Sequence, residues 1–258
     1  MSIKVIVAAH EPCDVPTDEL YLPLHVGAQG KDPLPFVGDN TGEHISEKNP
    51  TFCELTGLYW AWKNLPDEYV GLVHYRRYFS QRSRRGRNPL KNVLTYAQAA
   101  KLLEGRDGIL PAPRRYVIES LYSHYMHTCY IEPLDIAGEI IAEKYPTYSA
   151  AFEQLKTRTS AHMFNMFILR RDHLDAYCTW LFDILFELEK RVDASEYTPF
   201  HARFFGRVSE LLFNVWLENN PLDCAVVPVI YTAKVNWFVK GGAFLAAKFM
   251  GKKYEKSF

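Results

Sequence analysis

Two consecutive arginines that follow an apolar run are the residues with the clearest chemistry in this sequence. They belong to the run His74-Tyr75-Arg76-Arg77, directly after residues that predict a buried strand. In open α/β sheets, ligands bind beyond the carboxyl ends of the strands. A guanidinium fork matches the oxygens of a phosphate, so Arg76 and Arg77 predict a phosphate or diphosphate site with His74 and Tyr75 beside it. The alternative is a pair of surface arginines next to aromatic side chains at the edge of the core.

The basic stretch of residues 76–91 is open to other interpretations. It holds seven basic residues and no acidic one. Such a stretch can contact the phosphates of nucleic acid, which would make the chain a nucleic-acid-binding module with a steep salt dependence. It can equally cover an anionic substrate, or be a solvated loop with no specific partner.

Small and polar residues are dense between residues 38 and 50, and this composition suits a loop that approaches a sugar or a base closely. Asp39, Asn40 and Asn49 are its candidate ligand contacts, although ordinary turn chemistry also explains its glycines. A further amide, Asn165, stands in the apolar run of residues 163–169. A buried Asn must find hydrogen-bond partners, which are either hydroxyl groups of a ligand or the neighbouring backbone.

Two carboxylates are candidates for proton transfer. Glu210 lies in residues 200–218, where the apolar pattern predicts a helix. A carboxylate there can act as a general base, whereas the ordinary role of a helical glutamate is a salt bridge. Asp39 is the second candidate base.

Several common motifs are absent. The sequence contains no Gly-x-Gly-x-x-Gly, no P-loop, no Gly-x-Ser-x-Gly and no His-Glu-x-x-His. These absences argue against a Rossmann dinucleotide fingerprint, a P-loop nucleotide site, a hydrolase nucleophile elbow and a zinc protease. There is also no Asp-x-Asp, a common means of holding a divalent ion against a nucleotide diphosphate. We therefore predict no metal site.

The elements that would position these residues follow from the hydrophobic pattern. Residues 3–9 and 69–75 predict buried strands, and residues 51–65 predict a helix between them that starts with a capping box at Thr51. A strand, a helix and a second strand imply a parallel pair, which would bring Ala8 and His10 to the same sheet edge as His74. Residues 10–50 are predicted to be one long irregular segment. Because irregular segments of this length in a compact domain usually have a function, we expect this one to contribute to the site.

The rest of the chain continues as an alternation of helices and strands. The predicted helices are residues 95–104, 133–145, 172–191 and 200–218, and the predicted strands are residues 107–111, 163–169 and 225–230.

Composition restricts the class of protein. The 258 residues have a formal net charge of zero, 48% hydrophobic residues and five widely spaced cysteines. This composition predicts a cytosolic α/β protein with reduced thiols, and excludes a disordered chain or a disulfide framework. No apolar run approaches the ~20 residues of a membrane-spanning helix.

The segment of residues 234–258 differs in character. It carries six lysines, a single acidic residue (Glu255) and several aromatic residues. This composition fits either an interfacial segment on an anionic membrane or a helix that packs its aromatic side chains on the domain.

Several motifs together resemble one family. They are Val7-Ala8-Ala9-His10, Tyr21-Leu22-Pro23-Leu24-His25-Val26-Gly27-Ala28, Gly38-Asp39-Asn40-Thr41-Gly42, Ile45-Ser46-Glu47-Lys48-Asn49-Pro50, Cys53-Glu54-Leu55-Thr56, Tyr59-Trp60-Ala61-Trp62-Lys63-Asn64 and Gly71-Leu72-Val73-His74-Tyr75-Arg76-Arg77-Tyr78-Phe79. In this order they resemble the DUF4422 family of bacterial glycosyltransferases of capsule, exopolysaccharide and O-antigen assembly. The resemblance weakens after the first ~80 residues but extends over nearly the whole chain.

The resemblance implies a fold and an activity. The fold is a GT-A-like, Rossmann-type single domain over residues 1–233, with a mostly parallel central sheet flanked by helices, followed by the basic segment 234–258. The activity is transfer of a hexose, with galactose or galactofuranose favoured, from a UDP-sugar to a lipid-linked surface polysaccharide. Where GT-A enzymes carry Asp-x-Asp, this sequence has His74-Tyr75-Arg76, so we expect no essential metal cofactor.

The resemblance also assigns roles. Glu210 corresponds to the acidic residue that heads a late helix in inverting GT-A enzymes. The nucleotide sugar is assigned to Ala8, His10, Asp39, Asn40, Asn49, His74, Tyr75, Arg76, Arg77 and Asn165. The expected partners are the donor and a lipid-linked acceptor, without nucleic acid, in the cytoplasm or at the inner face of the membrane. A non-catalytic scaffold of a polysaccharide assembly complex stays open beside the nucleic-acid-binding module.

Overall fold

The computed structural model describes residues 1–82 and 89–232. The segment 234–258 and residues 83–88 of the basic stretch lie outside these described residues. The strands within the described residues are β1 Ile3–Ala9, β2 Tyr21–His25, β3 Val37–Gly38, β4 Tyr69–His74, β5 Arg77–Phe79, β6 Gly108–Pro111, β7 Arg114–Arg115, β8 Ser160–Ala161, β9 Phe167–Arg170, β10 Cys224–Val227 and β11 Val229–Tyr231. All except β7 and β8, which pair with each other, belong to one nine-stranded sheet.

Helices occupy most of the remaining described chain. They are α1 Asn49–Phe52, α2 Leu55–Asn64, α3 Tyr96–Leu103, α4 Leu121–Thr128, α5 Glu132–Lys144, α6 Ser149–Thr157, α7 Arg171–Arg191 and α8 Phe204–Asn219. Short 3₁₀ turns are formed by Ser46–Lys48, Pro89–Asn92, Pro146–Tyr148 and His201–Arg203. No helix in the described part of the chain combines the length and apolar character that a membrane crossing requires.

The described residues group into two compact units. The first unit comprises residues within 1–112, 162–178 and 222–232, and contains the nine-stranded sheet. The second unit comprises residues 113–161 and 179–221, and contains α4, α5, α6 and α8 together with the β7–β8 pair.

The large sheet is mostly parallel. Its main path runs β10-β6-β9-β4-β1-β2-β3, and β9 alone runs against the other strands of that path. Strand β1 lies between β2 and β4 and is parallel to both. Val5, Ile6 and Val7 are fully buried, as expected for a β-branched run in a sheet covered on both faces. The predicted parallel pair, and with it the mixed α/β fold class, is confirmed.

Helix α2 packs closely on this sheet. A Cβ atom at Gly57 would stand 2.7 Å from Val26 Cγ1, 3.2 Å from Leu24 Cδ2 and 3.3 Å from Ile6 Cδ1. A glycine at this position therefore lets the helix backbone approach the sheet. The helix was predicted, but its capping box at Thr51 is wrong. Cys53, with a φ of 54°, separates α1 from α2, and the Thr51 hydroxyl donates to the Lys48 carbonyl.

The segment of residues 10–50 was predicted to be irregular, and this is wrong in part. Strands β2 and β3 lie within it and extend the parallel sheet beyond β1. Pro23 sits inside β2 opposite Val7. The N–H group of Val26 points to β1, because it donates to the Ala9 carbonyl. Backbone N–H groups alternate in direction along a strand, so the position of Pro23, three residues earlier, faces away from β1. There only the two-residue β3 pairs with β2, opposite Leu24 and His25, so no ladder bond is lost.

Two other predicted strands also have different bounds. The strand predicted for residues 163–169 begins only at Phe167, because Phe164 and Asn165 have φ values of 78° and 50°. The strand predicted for residues 225–230 is split by Pro228 into β10, parallel to β6, and β11, antiparallel to β5. Helices α3, α5 and α7 start and end within about one residue of the prediction. Helix α8 begins four residues later than predicted, at Phe204 instead of Phe200.

Candidate active site

The carboxyl ends of β1 and β4 lie side by side and carry most of the predicted site residues. Ala8 pairs with His74, and the Ala8 carbonyl accepts a hydrogen bond from the Tyr75 N–H at 3.2 Å. On the other side of the turn, Thr232 donates its N–H to the Arg76 carbonyl and its hydroxyl to the Tyr75 carbonyl. The turn that presents Tyr75 and Arg76 is therefore fixed on one side by β1 and on the other by Thr232, the residue that follows β11.

His10 and Tyr75 meet at this edge. Their ring centroids are 5.4 Å apart with the rings nearly perpendicular, and the Tyr75 hydroxyl lies 3.3 Å from His10 Nε2. Burial, with a smaller contribution from the Glu11 carboxylate, raises the pKa of Tyr75 above its ordinary value. The phenol therefore keeps its proton and acts as a hydrogen-bond donor at neutral pH.

Glu11 is the centre of a surface cluster that the sequence did not indicate. Its Oε1 atom accepts hydrogen bonds from the Tyr75 hydroxyl at 2.7 Å and from Arg76 Nη2 at 2.8 Å. The bond from Tyr75, followed by that from Arg76, lowers the pKa of Glu11. The side chains of Arg76 and Glu11 are 54% and 46% exposed. Because an exposed ion pair of this kind contributes little to stability, Arg76 can exchange Glu11 for an anionic ligand.

Arg77 has different surroundings from Arg76. Its guanidinium carbon lies 4.8 Å from the ring centroid of Phe164 and 5.8 Å from that of Tyr231. Among the described residues, no acceptor reaches the buried Nε atom of Arg77. The two arginines, predicted to act as one clamp, thus present one exposed and paired charge and one charge packed against two aromatic rings.

A second cluster joins Glu54, His74 and Asn165. Asn165 Nδ2 donates to Glu54 Oε1 at 2.6 Å, and Asn165 is 2% exposed. His74 Nε2 lies 2.6 Å from the carbonyl oxygen of Phe164, which can only accept, so this nitrogen carries a proton. Burial lowers the pKa of His74, the nearby Arg77 charge lowers it further, and the Glu54 carboxylate opposes both effects. His74 is therefore a neutral imidazole with its proton on Nε2.

The backbone that carries Asn165 is strained. Phe164 and Asn165 both have positive φ values, 78° and 50°. A left-handed conformation is uncommon for a residue other than glycine, and for a bulky one such as Phe164 it is a genuine outlier. Such conformations cluster at functional sites, where the surrounding contacts hold them. Here the carbonyl of Phe164 and the side chain of Asn165 both face the Glu54 and His74 cluster.

Asp39 serves the architecture of the polar loop. It is fully buried, and its carboxylate accepts the N–H groups of Gly27 at 2.8 Å and Ala28 at 3.0 Å. The Thr56 hydroxyl donates to it at 2.6 Å, and the Ser46 hydroxyl donates to it as well. These four donors occupy both oxygens, so the structure does not present Asp39 to a substrate.

Asn49 and Asn40 flank this network. Asn49 Nδ2 donates to the Cys53 carbonyl at 2.8 Å, and its side chain fills the space next to Gly27, where a Cβ atom would stand 2.3 Å from Oδ1. Gly27 has a φ of 67°, so the turn requires glycine for its conformation as well as for space. Asn40 is exposed on the surface of the loop.

Two comparisons with known proteins bear on this arrangement. The family model described as a domain of unknown function, DUF4422, matches residues 4–221. The chain belongs to the DUF4422 family. Its structure is similar to the apo structure of WbbM, described as a bifunctional glycosyltransferase, with a TM-score of 0.82 and 28% sequence identity. The match covers 91% of this chain and 46% of that one, so this chain spans about half the length of its structural neighbour. No curated protein matches the sequence.

Glu210 is the first candidate base of this DUF4422 chain. It lies inside α8 in the second unit, whereas Glu54, His74 and Arg76 all belong to the first unit. Its backbone carbonyl accepts a hydrogen bond from Asn214 Nδ2. It does not head the helix, because α8 starts at Phe204.

Glu11 and Glu54 are functional candidates of this DUF4422 chain that no sequence pattern indicated. Glu54 stands in one of the motifs that carried the family resemblance, whereas Glu11 is the second residue after the first strand. For Glu11, its position just after the carboxyl end of a strand is a sequence signal for a ligand-binding residue. Among the residues that the structure describes, no group of three or more histidine, cysteine or carboxylate side chains is arranged to hold a metal ion.

Proposed function

We propose that this chain is a glycosyltransferase that moves a hexose from a nucleotide-activated donor to a saccharide acceptor. The observation that carries the proposal is the match of 91% of the chain, at a TM-score of 0.82, to a chain described as a bifunctional glycosyltransferase. Because the match covers 46% of that chain, it supports glycosyl transfer without selecting one of two activities.

A UDP-hexose is the proposed donor, with galactose or galactofuranose favoured, as the family resemblance implies. The diphosphate is assigned to Arg76, whose exposed guanidinium is held by Glu11 at 2.8 Å and is available to a stronger anionic partner. The nucleoside is assigned to the edge formed by Ala8, His10 and Tyr75, where aromatic rings offer a stacking surface. The loop around Asp39, Asn40 and Asn49 supports this edge and shapes it.

Departure of the diphosphate requires positive charge at the leaving group. Preorganised donors of this kind are each worth about 10²–10³ in rate. Arg76 supplies a direct contact, and the half-buried cation of Arg77, packed against Phe164 and Tyr231, supplies a second positive charge. In this mechanism the arginines take the part that a divalent ion takes in enzymes with Asp-x-Asp, and no metal is essential.

The proposed acceptor is a lipid-linked saccharide of a growing surface polysaccharide such as a capsule, an exopolysaccharide or an O-antigen. Such an acceptor is located at the inner face of the cytoplasmic membrane, and a cytoplasmic enzyme must reach it there. The six lysines and aromatic residues of segment 234–258 are suited to reversible contact with anionic lipid. The proposed location is therefore cytoplasmic, with peripheral contact at that face.

A donor screen tests the proposal. The full chain is incubated with UDP-galactopyranose, UDP-galactofuranose, UDP-glucose, GDP-mannose and dTDP-rhamnose, with octyl galactosides as acceptors, and nucleotide release and glycoside products are measured by chromatography. We expect turnover of a UDP-hexose, retained in EDTA. Turnover of none of the donors would reject the transferase, and a strict need for Mn²⁺ or Mg²⁺ would show that a metal holds the leaving group.

A further inference from the structure

The geometry points to Glu54 as the general base that accepts the proton of the acceptor hydroxyl. This assignment rests on the proposed glycosyl transfer and replaces both Glu210 and Asp39 as the candidate base. Asp39 is fully buried with both oxygens occupied, and Glu210 lies within α8 instead of heading it. Glu54 belongs to the same unit as His74, Arg76 and Arg77.

The orientation of Glu54 favours a chemical role over a structural one. Glu54 immediately precedes α2, but its side chain does not cap the helix. Instead Oε1 accepts the bond from Asn165 at 2.6 Å. The side chain is half-buried, and no donor among the described residues reaches Oε2. One oxygen is thus fixed by a buried amide, and the other is free to accept a hydroxyl proton.

The strained loop explains how Glu54 is held. Asn165 reaches Glu54 from a backbone with a φ of 50°, and the preceding residue, Phe164, has a φ of 78°. The Phe164 carbonyl is fixed by the proton on His74 Nε2, and the Phe164 ring packs on Arg77. The unfavourable conformation is therefore maintained by contacts to Phe164, and it directs the amide of the next residue, Asn165, to Glu54. Strained conformations that are held in this way are typical of functional sites.

The charges around Glu54 suit proton acceptance. The charges of Glu54 and Arg77 both act on His74. Burial lowers the pKa of His74, which favours the neutral imidazole over a charged partner for Glu54. Arg77 supplies a nearby positive charge, and no acceptor among the described residues reaches its buried Nε. A carboxylate that is oriented by a buried amide and partly withdrawn from water has the geometry of a general base.

The proposed step balances in atoms and charge. The acceptor hydroxyl oxygen forms a bond to the anomeric carbon of the donor as the bond from that carbon to the diphosphate oxygen breaks. The hydroxyl proton passes to Glu54 Oε2, and the bonding electron pair leaves with the nucleoside diphosphate beside Arg76. The protonated Glu54 then returns its proton to solvent.

The experiment compares three isosteric variants. In Glu54→Gln we expect kcat for the productive donor and octyl galactoside to fall by about 10²–10⁴, the usual range for general-base catalysis. The calorimetric Kd for UDP should stay within about threefold of wild type, because the diphosphate contacts are intact. Glu68→Gln, at the exposed amino end of β4, is the control and should keep full activity. Glu210→Gln tests the rival base and should lose less than Glu54→Gln.

Each outcome decides the assignment. If Glu54→Gln keeps kcat within threefold of wild type, or weakens only donor binding, Glu54 is not the base. If Glu210→Gln alone abolishes turnover, the base lies in α8. Should Glu54→Gln fail to fold by circular dichroism, Glu54→Asp keeps the carboxylate but withdraws it by one methylene. It should then retain UDP binding with kcat reduced at least tenfold, and full activity of that variant would overturn the assignment. A wild-type chain that turns over no donor would reject the transferase itself, which separates the two failures.

Discussion

Arg76 and Arg77 are neighbours in sequence, yet their side chains occupy different environments. Arg76 is 54% exposed and pairs with Glu11, whereas Arg77 is packed against two aromatic rings with a buried Nε. The sequence indicated that two arginines follow β4, but it could not show this division of roles. The direction of each side chain depends on β5, a three-residue strand that pairs with β11 from the far end of the chain.

The division of roles leads to different effects of substitution. Arg76→Ala should lower the rate of transfer by about 10² or more while leaving the unfolding temperature nearly unchanged. Arg76→Lys should recover only part of the rate, because lysine lacks the guanidinium fork. Arg77→Ala should lower both activity and stability, since its cation–π contacts contribute up to about 2 kcal/mol. Steady-state kinetics and thermal unfolding measure both effects, with Arg115→Ala as an exposed control. Full activity in both alanine variants would remove the arginines from the mechanism.

His74 should make stability depend on pH. Its pKa is lowered in the folded chain, chiefly by burial, so the unfolded chain binds a proton more readily than the folded chain. The free energy of unfolding should therefore fall as pH drops below about 6.5, the ordinary value for histidine, until the lower folded pKa is reached. In His74→Gln, which keeps a donor for the Phe164 carbonyl, this dependence should flatten. Burial also lowers the pKa of His25. Because the wild-type chain and the variant both contain His25, the difference between their pH profiles reports His74. The unfolding free energies of the wild-type chain and of His74→Gln are measured by urea unfolding between pH 4 and 8. Parallel dependences of the two free energies on pH would contradict the prediction.

At the scale of elements, the polar loop before α1 is held by a buried carboxylate. Asp39 joins the turn at Gly27 and Ala28 to Ser46 and Thr56, so four chain positions meet at one side chain. The sequence showed a dense polar loop and suggested ligand contacts. The structure shows that much of this polarity satisfies the loop's own backbone, which composition alone cannot distinguish from ligand binding.

Asp39→Asn should therefore destabilise the fold. One carboxylate oxygen of Asp39 accepts the N–H of Gly27 and the other accepts the N–H of Ala28. The NH₂ group of asparagine would replace one of these acceptors, so one of the two backbone N–H groups would lose its partner. The loss of a hydrogen bond to a charged group and the unsatisfied donor should together lower the unfolding free energy by at least about 2 kcal/mol. Asp32→Asn, an exposed change in the same loop, should have almost no effect. Urea denaturation measures both, and equal stability of the two variants would show that the network contributes little.

The elements that the sequence predicted well are those with strong local signals. Strand β1 is a β-branched run, and α3 begins with a capping box between Thr95 and Gln98. The missed elements depend on distant partners: β2 carries an internal proline and pairs with β1, and β5 is ordered by β11. The same is true of the candidate site. Asn165 was selected for its polarity, but its partner Glu54 is 111 residues away in sequence.

At the scale of the whole molecule, the proposed acceptor requires contact with a membrane. Segment 234–258 carries six lysines and one glutamate, a net charge of +5. A lysine near an anionic surface contributes about 1 kcal/mol, which supports reversible binding. We expect the full chain to float with vesicles containing phosphatidylglycerol, to detach as salt rises, and to lose binding when residues 240–258 are removed. Vesicles of phosphatidylcholine alone are the control. Equal flotation of the full and shortened chains would assign the contact elsewhere or exclude it.

The most direct test of glycosyl transfer at the edge of β1 and β4 is calorimetric titration of UDP and a UDP-hexose into the full chain and into Arg76→Ala. We predict saturable binding to the wild-type chain and binding at least tenfold weaker to the variant, because the exposed guanidinium is the diphosphate contact. At 100 times Kd, the ligand should also stabilise the wild-type chain by about 2.7 kcal/mol. Absence of binding at millimolar concentration, or equal binding by both proteins, would contradict this account of the site.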